Sequence, residues 1–383
     1  MLYRSLVLCF LGLFLTTISH AADQLTAYIG TYTRGNSESE GIYRLELTID
    51  GDQLKSSDLK LAGKSSNPSF LALHADGKHL YAVGEYGEFE GKQSGGVHAF
   101  KIDDDGMLTL INKQPSHGAG PCHLVVDKSG GHVLVANYGG GSVASLPIKE
   151  DGGLGPASST VQHEGSSVNP RRQKGPHAHS INVSPDNRFA FAADLGLDKV
   201  LIYKFDAKTG KLTAGDSPFA KVEAGGGPRH FAFHPSGKFA YVINELTLTM
   251  TAFSYDTESG KLSDVQTIST IPEDITDRQG FSTAEVQAHP SGKFLYGSNR
   301  GHDTIAVFTV DEKTGKLKRI ANEPIRGKTP RNFGVDPTGN YLLALGQNSN
   351  TITVFRIDQQ TGKLSAIGEP IKAPVPVCVK FVE

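Results

Sequence analysis

Apolar and polar positions alternate in short runs along nearly the whole chain. The octets LTAYIGTY, KHLYAVGE, GHVLVANY, RFAFAADL, KFAYVINE, KFLYGSNR and NYLLALGQ end at Tyr32, Glu85, Tyr138, Leu195, Glu245, Arg300 and Gln347. They are seven copies of one pattern, 47 to 57 residues apart. A fixed period of this size marks a repeat architecture. Each copy is followed by a second alternating run, such as GVHAFKI from Gly96 or TIAVFTV from Thr304. Val, Ile, Phe, Tyr and Thr dominate both runs, so both are predicted strands. Turns of the form TGKL or SGKL come next, at Thr209, Ser259, Thr314 and Thr361. Glycine supplies the positive φ that such hairpins need.

A further run precedes each octet and enters it through HADGK, KSGGH, SPDNR, HPSGK (twice) or DPTGN. The first octet lacks this run, and PVCVKFVE at the C-terminus supplies it. The predicted fold is therefore all-β: a seven-bladed β-propeller with four antiparallel strands per blade. Its closing blade is shared by the N- and C-termini. Closure removes the open edges that sheets must otherwise protect. A solenoid would need capping units, and none is present.

Composition narrows the class. The 383 residues are 38% hydrophobic and 20% charged, with a formal net charge of -2. Neither a nucleic acid nor an anionic membrane is implied as partner. The first residues have the form of a secretory signal, with Arg4, an apolar run from Leu6 to Leu15, and Ser19-His20-Ala21 before the cleavage point. That run is shorter than the ~20 residues that span a bilayer. Residues 1–22 are read as a signal peptide and 23–383 as one propeller domain, exported to the periplasm or secreted, with no membrane span in the mature chain. Cys122 and Cys378 fall in non-adjacent blades and are predicted to be buried free thiols. No zinc-ligand spacing occurs.

The repeat also separates structure from chemistry. His74, His234 and His289 recur in the first turn and are assigned to the fold. Inner strands begin, and second strands end, at the rim opposite those turns. His123, Arg229, His230, Glu285, Arg331 and Asn332 reach it from inner strands. Asn137, Asp194, Asn244, Glu245, Asn299, Arg300 and Gln347 reach it from second strands. Two long connections, Tyr86 to Ser94 and Val168 to Ser180, feed the same rim. The second adds Arg171, Arg172, His177 and His179. Convergent arginines suit a carboxylate or phosphate. His177 and His179 lack a third ligand at metal spacing, so no metal is expected. No GxSxG elbow, HExxH or P-loop is present. The rim supports general acid–base chemistry with arginine clamps.

PHAHS, GGGPRHFAFHP, NE, TAE, SNRG and PRNF, in successive blades, resemble motifs of the seven-bladed propeller lactonases of the 6-phosphogluconolactonase type. The resemblance runs from about Leu25 to Phe381. It implies hydrolysis of a small, anionic lactone, such as 6-phosphogluconolactone, with neither metal nor organic cofactor. It gives catalytic roles to His179, Arg229, Glu245 and Arg300, with His177 as the alternate to His179. His123, Arg172, His177, His230, Glu285 and Arg331 are left for substrate binding, with Glu245 or a rim histidine activating water. The export signal departs from a cytoplasmic substrate and points to a different sugar or acid lactone. The rival readings are a lactonase or cyclase for carboxylated, unphosphorylated lactones, and an exported propeller that binds a glycan or protein without catalysis.

Overall fold

A computed structural model describes residues 22–382. The proposed signal segment lies almost wholly outside them. Seven antiparallel sheets form the ring. The inner strands of blades two to seven are Leu71–Leu73, Pro121–Val126, Ala178–Val183, Pro228–Phe233, Ser282–Ala288 and Pro330–Val335. Each pairs with the octet strand that follows it, and that strand pairs with the next.

Blade one closes as the sequence predicts. Pro376–Phe381 becomes its inner strand and pairs with Asp23–Thr31, with Ile29 opposite Val379. One departure lies in its outer strand, which is split into Gln53–Ser56 and Lys60–Lys64, both paired with Gly41–Asp50.

The core lies between blades. Phe191, Phe231, Phe253 and Val242 fill one such layer between blades four and five. Tyr296, Phe308, Phe333 and Phe355 are likewise buried. Burying a side chain of this size contributes roughly 1.5–3 kcal/mol.

Recurring polar residues lock neighbouring blades. The ring nitrogens of His234 meet Ser236 Oγ in its own turn and the Gly292 carbonyl of the next blade, both at 2.8 Å. His289 does the same with Ser291 and Gly339. Gly292 has a φ of +76°, and a Cβ there would lie 2.8 Å from the His234 ring. The tyrosines of the second strands also bridge blades, with Tyr81, Tyr241 and Tyr296 donating to the carbonyls of Gly152, Gly315 and Gly362 in the turn before the next blade's outer strand. The assignment of the recurring histidines to the fold holds, for this physical reason.

Cys122 and Cys378 are buried and free, as expected. Burial pushes the Cys122 thiol up to about 12 and that of Cys378 to about 11.

Candidate active site

The rim opposite the Ser-Gly-Lys turns opens into a cleft of about 430 Å³. Its wall includes Glu85, Cys122, Tyr138, Arg172, His179, Glu245, Ser282, Arg300 and Arg331. The geometry follows from the hairpin: Pro228 pairs with Asn244, so Arg229 and Glu245 meet although sixteen positions separate them.

Glu245 is the hub. Its Oε1 accepts from Arg172 Nη2 at 2.7 Å. Its Oε2 accepts from Arg229 Nε at 3.1 Å and lies 3.0 Å from Arg300 Nη2. The arginines are themselves oriented, Arg229 by the Ala284 carbonyl and Arg300 by that of Thr283, each at 2.7 Å. Burial alone would raise the Glu245 pKa, but Arg300, Arg229 and Arg172 outweigh it and hold the carboxyl at about 2. Burial, with Arg331 and Arg300 nearby, lowers Arg229 to about 9, so it remains a cation at neutral pH.

Arg331 differs from these three. It lines the cleft, and its guanidinium carbon sits 5.4 Å from the centre of the Tyr32 ring. Among the described residues, no hydrogen bond or salt bridge engages that guanidinium. Burial would lower its pKa, but the neighbouring Tyr32, Glu85 and Glu245 raise it overall. A fork of unpaired donors thus faces the cleft between two carboxylates.

Glu85 is the second carboxylate. Tyr32 Oη donates to it at 2.8 Å, Ser69 Oγ at 2.5 Å and Arg34 Nη2 at 3.2 Å. Glu85, Tyr32 and Tyr138 were not selected from the sequence. The signal was available: each ends an octet, at the repeat position of Glu245 and Arg300.

Three imidazoles cluster at the channel side of this wall. His230 lies 5.2 Å from His123 and 5.3 Å from His179, measured between ring centres, and His123 packs on Phe70 at 4.2 Å. The Nδ1 of His179 is 3.6 Å from Cys122 Sγ. Burial lowers the pKa of all three rings well below the ordinary histidine value. His230 contributes to this at His123, and Arg229 at His179 and His230. They are neutral at pH 7.

Of the residues selected from the sequence, Arg172, His179, Glu245, Arg300 and Arg331 reach the cleft wall. Arg229, His123, His230 and Glu285 are buried and stand outside that wall. Arg229 grips Glu245 and, with His230, lines the small space that adjoins the cleft. His177 stands behind the wall: its ring stacks on Tyr138 at 4.6 Å and its Nδ1 faces the Tyr138 carbonyl, so it supports the Tyr138 ring that lines the cleft. Arg171 is exposed and also outside the wall. The Tyr86–Ser94 connection folds into a small ribbon, Glu88–Phe89 with Lys92–Gln93, and adds no side chain to the wall. Asn137, Asp194, Asn244 and Asn299 recur at one phase and are fully buried. Asn137 donates to the Ser116 carbonyl, Asn244 to Thr251, and Asp194 pairs with His163, so they serve the fold.

Among the described residues, one group has metal-ligand proximity: His74, Asp76 and His79. The Nδ1 of His74 accepts from the Asp76 amide and its Nε2 faces the Gly130 carbonyl, so that ring is committed to the turn.

The family model described as Lactonase, 7-bladed beta-propeller, matches residues 26–381. The chain belongs to the seven-bladed β-propeller lactonases. It is a lactone-hydrolysing enzyme of this family. A 6-phosphogluconolactonase of Bacillus subtilis is 39% identical over 357 residues, covering 93% of this chain and 97% of that one. A putative 6-phosphogluconolactonase of Bacteroides fragilis superposes with a TM-score of 0.85 at 38% identity, over 96% of this chain and 99% of its own. A periplasmic gluconolactonase of Pseudomonas aeruginosa does so with a TM-score of 0.86 at 32% identity, over 94% and 99%. Within this lactonase the cleft is the concave, polar feature at the mouth of the channel, where a small molecule would be held.

Proposed function

We propose that this cleft opens a sugar lactone, with 6-phosphogluconolactone or a related exported lactone as substrate. The observation that carries the reading is Arg331, an unpaired guanidinium in the cleft wall. Hydrolysis builds negative charge on the lactone carbonyl oxygen, and donors already aimed at that position stabilise it without reorganising. Arg331 is in place to serve as that donor. Arg172 and Arg300 line the same wall, and their remaining N–H groups can hold a phosphate or carboxylate of an anionic substrate.

Glu245 is the anchor of this clamp. The arginines around it hold its carboxyl at about 2, so it stays ionised as the clamp's fixed anion. Both of its oxygens are also taken up by guanidinium groups, so water activation passes to an imidazole with a free ring nitrogen. Side chains and water supply every part of this route.

A second reading is supported by the periplasmic gluconolactonase among the similar structures and by the signal-like N-terminus: an exported enzyme acting on unphosphorylated lactones. Proton release during ring opening distinguishes the two. The mature chain is assayed with 6-phosphogluconolactone, gluconolactone and a carboxylated lactone. Preference for the phosphorylated ring supports the first reading, and equal or better use of gluconolactone the second. Failure to open any of them would overturn both and favour a non-catalytic binding propeller.

A further inference from the structure

Adjoining the cleft is a smaller, partly enclosed void of about 10 Å³, at the lower limit of the space one water molecule needs. Ser69, Glu85, Cys122, Arg229, His230 and Arg331 contribute to its lining. Glu85, Cys122 and Arg331 also line the cleft, so the void opens onto the same walls. The Nε2 of His230 is buried and has no hydrogen-bond partner. A buried polar atom left this way costs roughly 1–3 kcal/mol, which an ordered water would remove.

The other face of His230 is held firmly. Its Nδ1 lies 3.0 Å from Glu285 Oε2. The same oxygen accepts from Asn332 Nδ2, and Glu285 Oε1 accepts from the Val286 amide at 3.0 Å. Asn332 is fixed in turn by the Val379 amide, at 3.0 Å from its Oδ1. Burial pushes the Glu285 pKa up, but the Asn332 amide and the Val286 N–H both donate to it, which fits a carboxylate. That carboxylate keeps the proton of His230 on Nδ1 and leaves Nε2 as an acceptor.

We propose that His230 is the general base of the lactonase, acting on a water held in this void, with Glu285 and Asn332 as its positioning residues. The proposal rests on the lactonase reading of the cleft. The water gives a proton to His230 Nε2 as its oxygen bonds to the lactone carbonyl carbon. Arg331 takes the developing charge on the carbonyl oxygen. The ring C–O bond then breaks, and the departing ring oxygen receives the proton back from the imidazolium. The product is an open-chain hydroxy acid, which loses its carboxyl proton to solvent. The pair resembles the base and orienter of acyl-transfer sites in geometry, with water in place of a side-chain nucleophile. His179, which lines the cleft, is left to contact substrate.

The test compares wild type, H230Q, E285Q and H179Q on one lactone that the wild type opens, with thermal unfolding as a check of folding. Expected are a loss of about 10²–10⁴ in kcat for H230Q with KM changed less than about threefold, and a smaller loss for H179Q. E285Q should also move the acid limb of the pH–rate profile to lower pH, since a neutral partner no longer supports imidazolium. The other charges facing His230, namely Arg229, Arg331, Arg300 and Lys380, are unchanged in that variant. A folded H230Q enzyme with kcat within about threefold of wild type would overturn the assignment and leave the lactonase reading intact. If H230Q does not fold, E285Q decides: a shifted limb supports the assignment and an unmoved one overturns it. A wild type that opens no lactone removes the lactonase reading and this proposal with it.

Discussion

Arg172 and Glu245 are 73 residues apart in sequence, and Arg172 Nη2 donates to Glu245 Oε1 at 2.7 Å. This contact ties the long Val168–Ser180 connection of blade four to the hub of blade five. The arginines around it have different roles. Arg229 and Arg300 hold the Glu245 Oε2 side, Arg172 brings the loop in, and Arg331 stays open to the cleft.

Glu245→Gln should destabilise the protein and abolish most activity. Breaking a buried ion pair costs about 3–5 kcal/mol when the partner charge is left behind, and here three cations lose one anion. The Glu245 pKa falls on folding from 4.5 to about 2. Its contribution to stability is thus fully present above about 4.5 and lost as pH falls toward 2. Denaturant melts at pH 7 and pH 2.5 should show a large gap between wild type and variant at the first and a smaller gap at the second.

Arg331→Ala should lower the melting temperature less than Glu245→Gln does, because it gives up the Tyr32 ring contact and the attraction of Glu85 and Glu245 but no hydrogen bond or salt bridge among the described residues. Its kcat should fall by about 10²–10³, the usual cost of an oxyanion donor. Arg331→Lys keeps the charge but not the planar fork, so it should recover only part of the rate. Steady-state kinetics alongside a thermal melt separate these outcomes.

Arg172→Ala should raise KM for an anionic lactone by about tenfold to a hundredfold, the worth of a hydrogen bond to a charged group. The effect should be smaller with an uncharged lactone of the same ring size. Parallel KM measurements on the two substrates provide the check.

Native Cys122 should resist alkylation at pH 8 even though it lines the cleft. Burial holds its thiol at about 12, and the thiolate is the reactive form. Iodoacetamide followed by intact-mass analysis should find both thiols unmodified until the protein is unfolded, with activity retained.

His234→Ala should lower stability and leave kcat unchanged. It exposes the Gly292 carbonyl and Ser236 hydroxyl of the blade-five turn to the loss of their shared partner, at roughly 1–3 kcal/mol. Urea melts and kinetics on the same preparation test both halves.

The fold was legible because a propeller repeats. Octets, turn glycines and the missing first strand gave seven blades and their closure without any long-range information. The same repeat exposed His234 as structural, and the hairpin placed Arg229 beside Glu245. Where the sequence was mute, side-chain direction decided. His177 and His179 are two positions apart, yet one stacks on the face of Tyr138 and the other lines the cleft. Glu85 shares the repeat position of Glu245, but the run before it, from Ser69-Phe70-Leu71, carries no counterpart of Arg229 and His230. The contrast between the two arginines also lies in their hairpins: that of Arg229 ends in Glu245, whereas that of Arg331 ends in the neutral Gln347.

The most direct test of the central claim is a crystal structure of the protein with the hydroxy acid product of an effective lactone. The product should lie in the cleft between Glu85 and Glu245, with its carboxylate about 2.7–2.9 Å from Arg331 nitrogens. Product bound at the opposite rim, among the turns near Gln287 and Pro337, or bound in the cleft without touching Arg331, would contradict it.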